Sequence, residues 1–153
     1  MKTADPRDRM GVYDRLETVP DRYRLGNYEN AYDGRDVWRE WVDTLDLTDH
    51  LEETLGRAER EWKAHMADRG RHHALARPED VVAWSTALLD GDRGVGTAYN
   101  RYWVQVEKFY TWLQNHVDYP HVYHPFWMAV VSDRDGATGR IWNKKTADTG
   151  GNS

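Results

Sequence analysis

Apolar side chains recur at helical spacing over four stretches of the chain, and a fifth stretch is short and almost wholly apolar. Val37, Trp38, Trp41, Val42 and Leu45 share one side of a first helix, predicted from Val37 to about Leu47 with Asp36 as its cap. Thr48 or Asp49 can cap a second helix that runs to about Arg69. Leu51, Leu55, Ala58, Trp62, His65 and Met66 form its narrow apolar stripe, and Gly70 is a natural stop. A third helix begins at Pro78, a residue suited to a first turn, where Glu79 and Asp80 complement the helix dipole. Val81, Val82, Trp84, Leu88 and Leu89 are its apolar positions. The clearest pattern predicts a fourth helix from about Thr97 to His116. At roughly 100° per residue, Ala98, Tyr102, Val106, Phe109, Trp112 and Leu113 form one stripe, flanked by Tyr99, Trp103 and Tyr110. Asn100, Arg101, Val104, Lys108 and Thr111 gather on the far side. A fifth, short helix is predicted over His124 to Val131, around Pro125.

Outside these stretches no period persists. Residues 1–35 mix Asp, Arg, Tyr and Asn with Pro and Gly and read as a loose acidic arm, in which Tyr13, Tyr23, Tyr28 and Tyr32 are able to dock. Residues 132–153 read as a polar, Gly-rich tail, whose segment 140–145 either packs or stays loose. No alternating strand pattern and no internal repeat stands out. With 153 residues the chain holds one domain, and its reading is an all-α bundle of four to five helices over residues 36–131. Eight Trp and nine Tyr against two Phe give that core aromatics whose polar tips need partners at its rim.

Composition closes off several kinds of chemistry. The absence of Cys removes disulfides, thiol nucleophiles and thiolate-held metals. His116, His121 and His124 are close in sequence, as are His72 and His73, but no metal-binding spacing of the His-Glu-x-x-His kind occurs, so neither a metal nor another cofactor is expected. Gly91-Asp-Arg-Gly-Val-Gly96 has no strand before it and no phosphate-binding Lys, and Ser85, Ser132 and Ser153 sit near no plausible base. The expectation is therefore a chain that is not an enzyme. No apolar run approaches the ~20 residues that span a bilayer, and the amino terminus lacks a signal-peptide core, so a cytoplasmic location and no membrane partner are expected. A net charge of -5 argues against a nucleic-acid partner until its distribution is considered. The acidity lies in the first third, whereas Arg57 to Arg77 carries six basic residues against three acidic ones.

The fourth helix, Thr97-Ala-Tyr-Asn-Arg-Tyr-Trp-Val-Gln-Val-Glu-Lys-Phe-Tyr-Thr-Trp-Leu113, followed by His124-Pro125-Phe126, resembles the last long helix of the core-binding domain of tyrosine recombinases, the phage-type integrases. Asn100, Arg101, Tyr102, Phe109, Tyr110, Trp112 and Leu113 match the family pattern, and the helices expected at 49–69 and from Pro78 match its preceding elements. The resemblance covers about residues 36–131. It departs from the family at Ala98, where Thr is usual, and at His124, which stands in place of Asn before the proline. It implies a SAM-like helical fold that binds duplex DNA as half of a clamp. The ~20 residues after Val131 are too few for the family's catalytic domain, so the expected activity is DNA binding without strand cleavage, in connection with site-specific recombination or integration.

Carried onto matching positions, the resemblance places Asn100 and Arg101 at the DNA-facing start of the fourth helix, with Thr97 offering a hydroxyl near a helix amino terminus. Helical geometry adds Lys108 to that face, and charge alone marks Arg57, Arg60 and Lys63 as a second patch. Double-stranded DNA is the expected partner, with a full-length tyrosine recombinase or a second copy of the chain as protein partners. The alternative is a helical protein-interaction module that presents Tyr99, Trp103 and Tyr110 as an aromatic patch.

Overall fold

A computed structural model describes residues 12–13, 17, 19–20, 25–116, 118–119 and 121–150, of which 25–26 and 145–150 are described by their backbone alone. The described residues are all-α, with no strand among them. A 3-10 turn, Leu25–Tyr28, leads into the single-turn helix α1, Glu29–Tyr32. Then follow α2, Val37–Val42; α3, Asp49–Asp68; α4, Pro78–Leu89; and α5, Val95–Thr97. The chain continues without a break through a π-helical segment, Ala98–Trp103, into α6, Val104–Asn115. Two more helices close the fold, α7, Pro125–Ser132, and α8, Ala137–Gly150.

The caps act as the sequence suggests. Asp36 accepts the backbone N–H of Arg39, and the Thr48 hydroxyl accepts that of Leu51, satisfying donors that the first turn leaves free. Asp80 accepts the N–H of Arg77 at the start of α4. Gly70, at a φ of 72°, ends α3 in the left-handed region that side chains with a Cβ avoid. Helix α2 is shorter than its apolar spacing predicts. The Thr44 hydroxyl and Thr44 N–H both turn back onto the Trp41 carbonyl, and this local hydrogen bonding ends the helix at Val42.

Trp38, Trp62, Trp84, Trp103, Phe109, Tyr110 and Phe126 fill the core. Their rings meet at tilted or edge-on angles, as between Trp62 and Trp84 with centroids 4.9 Å apart. Three of their polar tips find partners on the 70–77 loop and on α4, whereas the Trp38 indole N–H is buried without one. Trp62 Nε1 and the Tyr110 hydroxyl both donate to the His73 carbonyl at 2.8 Å, and Trp103 Nε1 donates to the Ser85 hydroxyl at 3.2 Å. The buried Asp80 carboxylate accepts from Arg69 and from Arg71, so a charge inside the fold is paired twice.

The structure corrects three expectations. First, residues 137–150 of the expected polar tail are helical, and α8 packs on α4 and α7 with Ile141 and Trp142 buried in the core. Second, the described part of the 1–35 arm is not loose. Val19 and Tyr32 are core residues, and Tyr13 and Tyr28 pack against the core, while Tyr23 lies outside the described residues. Third, the fourth helix does not keep an ordinary pitch. Ala98 and Trp103, five residues apart, are both fully buried, whereas Tyr102 is only half-buried beneath the Arg93 guanidinium. A π turn advances less per residue than an α turn, so the stripe slips from Tyr102 to Trp103 and rejoins the expected positions at Val106, Phe109 and Leu113.

Candidate nucleic-acid interface

The polar face of α3 and the π segment form the two walls of a cleft of about 550 Å³. From α3 come His50, Glu53, Thr54 and Arg57, spaced i, i+3, i+4 and i+7 and therefore on one side of the helix. Asn100 and Arg101 stand on the opposite wall. Gln105, in the first turn of α6, is the one buried residue among those named here and forms the floor. The same face of α3 runs on into a shallower groove lined by Arg57, Arg60 and Glu61, with Tyr102 on its far side.

The charges on this surface are unevenly satisfied. Arg57 pairs with Glu53 one turn away, with both side chains well exposed, a geometry that contributes little to stability and yields to a competing anion. Glu61 is met by Arg93 at 3.7 Å, from the loop after α4. Arg60 and Arg101 are exposed and carry no carboxylate partner among the described residues. Four guanidinium groups therefore face two carboxylates along the cleft and groove, in a chain that is acidic overall.

The site residues expected from sequence fall into three groups. Arg57 and Arg60 come together with Asn100 and Arg101 on this surface, although the two pairs stand forty or more positions apart in the chain. Thr97 and Lys108 are exposed on the same continuous helix but outside the cleft lining. Thr97 is in the first turn, because the helix begins at Val95. Lys63 does not belong with the rest. Six residues past Arg57 it points about 120° away around the helix. There it is half-buried and bonded to Asp36 at 2.9 Å and Glu59 at 2.6 Å. Burial pushes its ammonium down, but those carboxylates outweigh it and hold the group above the usual lysine range.

Around Lys63 lies a second, shallow depression of about 320 Å³, flanked by Arg35, Arg71, His72 and His73. Its cations are engaged within the fold. Arg35 binds Glu40 at 2.6 Å, and Arg71 binds Asp80 at 2.8 Å. His72 and His73 stack with ring centroids 4.1 Å apart, and His73 Nε2 accepts the Trp38 N–H at 3.1 Å. These are structural roles. Among the described residues no three His, Asp or Glu side chains group in a way that would hold a metal ion, and no helix is long and apolar enough to cross a membrane.

The aromatic patch of the alternative reading is not on the surface. Trp103 and Tyr110 are buried, at 0% and 1% exposure, and only Tyr99 reaches the rim. The reason is the π turn, which rolls Trp103 inward, together with the hydrogen bonds that the Tyr110 hydroxyl makes to the His73 carbonyl and the Ala76 N–H. Sequence reasoning missed His50, Glu53, Thr54 and Gln105. The first three were visible as a polar stripe opposite the apolar one on α3, whereas nothing in the sequence marks Gln105. Comparison with family models, with curated proteins and with solved structures finds no match.

Proposed function

We propose that this chain is a DNA-binding domain that holds duplex DNA through the α3 and π-segment surface and performs no chemistry on it. The observation that carries the reading is the convergence of Arg57 and Arg60 from one helix with Asn100 and Arg101 from another, two of the four cations or amides being guanidinium groups without a carboxylate partner among the described residues. Guanidinium groups at the rim of a cleft suit phosphate oxygens, which they bind through two parallel N–H donors. Thr97 and Lys108 flank this surface and extend the phosphate track along the helix. Lys63 is left out, being held by Asp36 and Glu59. The likeness of Asn100, Arg101 and the following aromatics to the core-binding domain of tyrosine recombinases supports a role at a recombination or integration site, beside a recombinase that supplies the chemistry.

The test is a salt series on a labelled random-sequence duplex, read by anisotropy. Three or four phosphate contacts give a log–log slope of about -3. Arg101→Ala should weaken binding and lower that slope by about 1, with an unchanged melting temperature. Affinity that is the same in Arg101→Ala as in the parent chain removes the π segment from the interface.

A further inference from the structure

We infer that the cleft between α3 and the π segment takes one unstacked nucleotide, its phosphate on Arg57 and Arg101 and the donor edge of its base on Gln105; this rests on the reading of that surface as a nucleic-acid contact. A volume of about 550 Å³ lies within the range of small-molecule sites and is more than a phosphate group needs. The walls also change character with depth. Guanidinium groups stand at the rim, Leu51 offers a half-buried apolar side, and an amide forms the floor.

Gln105 is the second, independent observation. It is 7% exposed, and its Nε2 donates to the Asn100 carbonyl at 2.9 Å. Its Oε1 is buried and has no hydrogen-bond partner. Turning the amide over would set that oxygen against the Asn100 carbonyl, two acceptors facing each other, so the orientation is fixed by its neighbour. An acceptor without a donor, on a side chain that lines the cleft together with Arg57 and Arg101, is complementary to a ligand that presents both an anion and an N–H group. Inorganic phosphate supplies only the first. A nucleotide supplies both, provided its base is neither stacked nor paired. Bases inside an intact duplex have their pairing edges occupied, so the occupant is an unpaired residue of a strand or a free nucleotide. Glu53 pairs with Arg57 and must release it when a phosphate arrives.

The experiment uses the full chain with four probes: an intact duplex, the same duplex carrying a one-nucleotide bulge, the nucleoside monophosphates, and inorganic phosphate. The bulged duplex should bind about fivefold more tightly than the intact one, the worth of one buried hydrogen bond. Gln105→Leu should abolish that preference. Glu53→Gln, an exposed change that leaves the core alone, should tighten binding of the bulged duplex by freeing Arg57. Saturable binding of a nucleoside monophosphate that inorganic phosphate does not displace would identify free nucleotide as an occupant. Equal affinity for bulged and intact duplex, with no binding of the monophosphates, overturns the nucleotide cleft and leaves the duplex surface standing. Binding of monophosphates without any duplex binding does the reverse. If Glu53→Gln weakens binding of the bulged duplex, the assignment of the phosphate to Arg57 is wrong.

Discussion

Mild acid should weaken this fold by an amount that two histidines set. Burial pushes the His121 imidazole down to about 3. It stacks on Tyr32 and meets the Tyr32 hydroxyl at 3.2 Å, while its Nδ1 is buried with no partner. His73 is also pushed down to about 3, first by burial and then by the neighbouring His72 and Lys63. In the unfolded chain both return to about 6.5. The folded values lie below the unfolded ones, so the unfolded chain binds more protons throughout the interval between them. The stability these residues support is therefore complete above pH 6.5 and is lost as the pH falls from there toward 3. Between pH 7.5 and pH 5.0 each residue forfeits about 2 kcal/mol, or about 4 kcal/mol together. His65, lowered mainly by burial, adds in the same direction. The lowered carboxylates of Asp36, Glu40 and Asp80 act only below about pH 4 and leave this window untouched. The assay is urea unfolding followed by tryptophan fluorescence at pH 7.5, 6.5, 5.5 and 5.0. For a domain of this size the loss corresponds to a melting temperature lower by roughly 8–16 °C at pH 5.0. His73→Gln with His121→Gln keeps polar partners for the Trp38 N–H and the Tyr32 hydroxyl but cannot titrate, and should flatten most of the dependence. A parent chain that loses less than about 1 kcal/mol, or a double variant as acid-sensitive as the parent, would refute the assignment.

Three further outcomes follow from the packing. Asp80→Asn strands Arg69 and Arg71 beside a neutral group and weakens the first turn of α4; it should cost about 3–5 kcal/mol in denaturant unfolding. Gly139→Ala drives a methyl group into the Arg134 carbonyl, a backbone atom that cannot step aside, and should destabilise by about 1–3 kcal/mol with the near-ultraviolet signal of Trp142 altered. Lys63→Met should leave duplex affinity within about twofold of the parent while Arg60→Ala lowers it, because an ion-paired lysine on the wrong side of α3 releases no counterion.

Apolar spacing predicted where α3, α4, α6 and α7 lie, because each buries a continuous stripe and begins or ends on a residue with a known local preference. What it misplaced has physical causes. Trp103 was set at the edge because a constant 100° step cannot describe a π turn. Helix α8 has no periodic signal because its anchors Ile141 and Trp142 are adjacent rather than spaced, in a segment that is otherwise polar. Val19 is an isolated apolar residue, and only the tertiary fold shows what it and the docking Tyr32 pack against. Among the candidate site residues, Arg57, Arg60, Asn100 and Arg101 were named from charge and resemblance, but their meeting on one surface depends on how α3 lies against the π segment. Charge alone groups Lys63 with Arg57 and is blind to the rotation between them.

The widened turn also ties the interior of this protein to its outer surface. Trp103 is seated against Phe126 and Trp142, and Arg101 rides on the same coil two residues earlier. If that coil tightened to ordinary pitch, Trp103 would lose its seat and Arg101 would swing around the axis away from α3. The recess would then vanish although no residue lining it had changed. A substitution at this buried indole therefore alters the basic surface without adding or removing a charge on it.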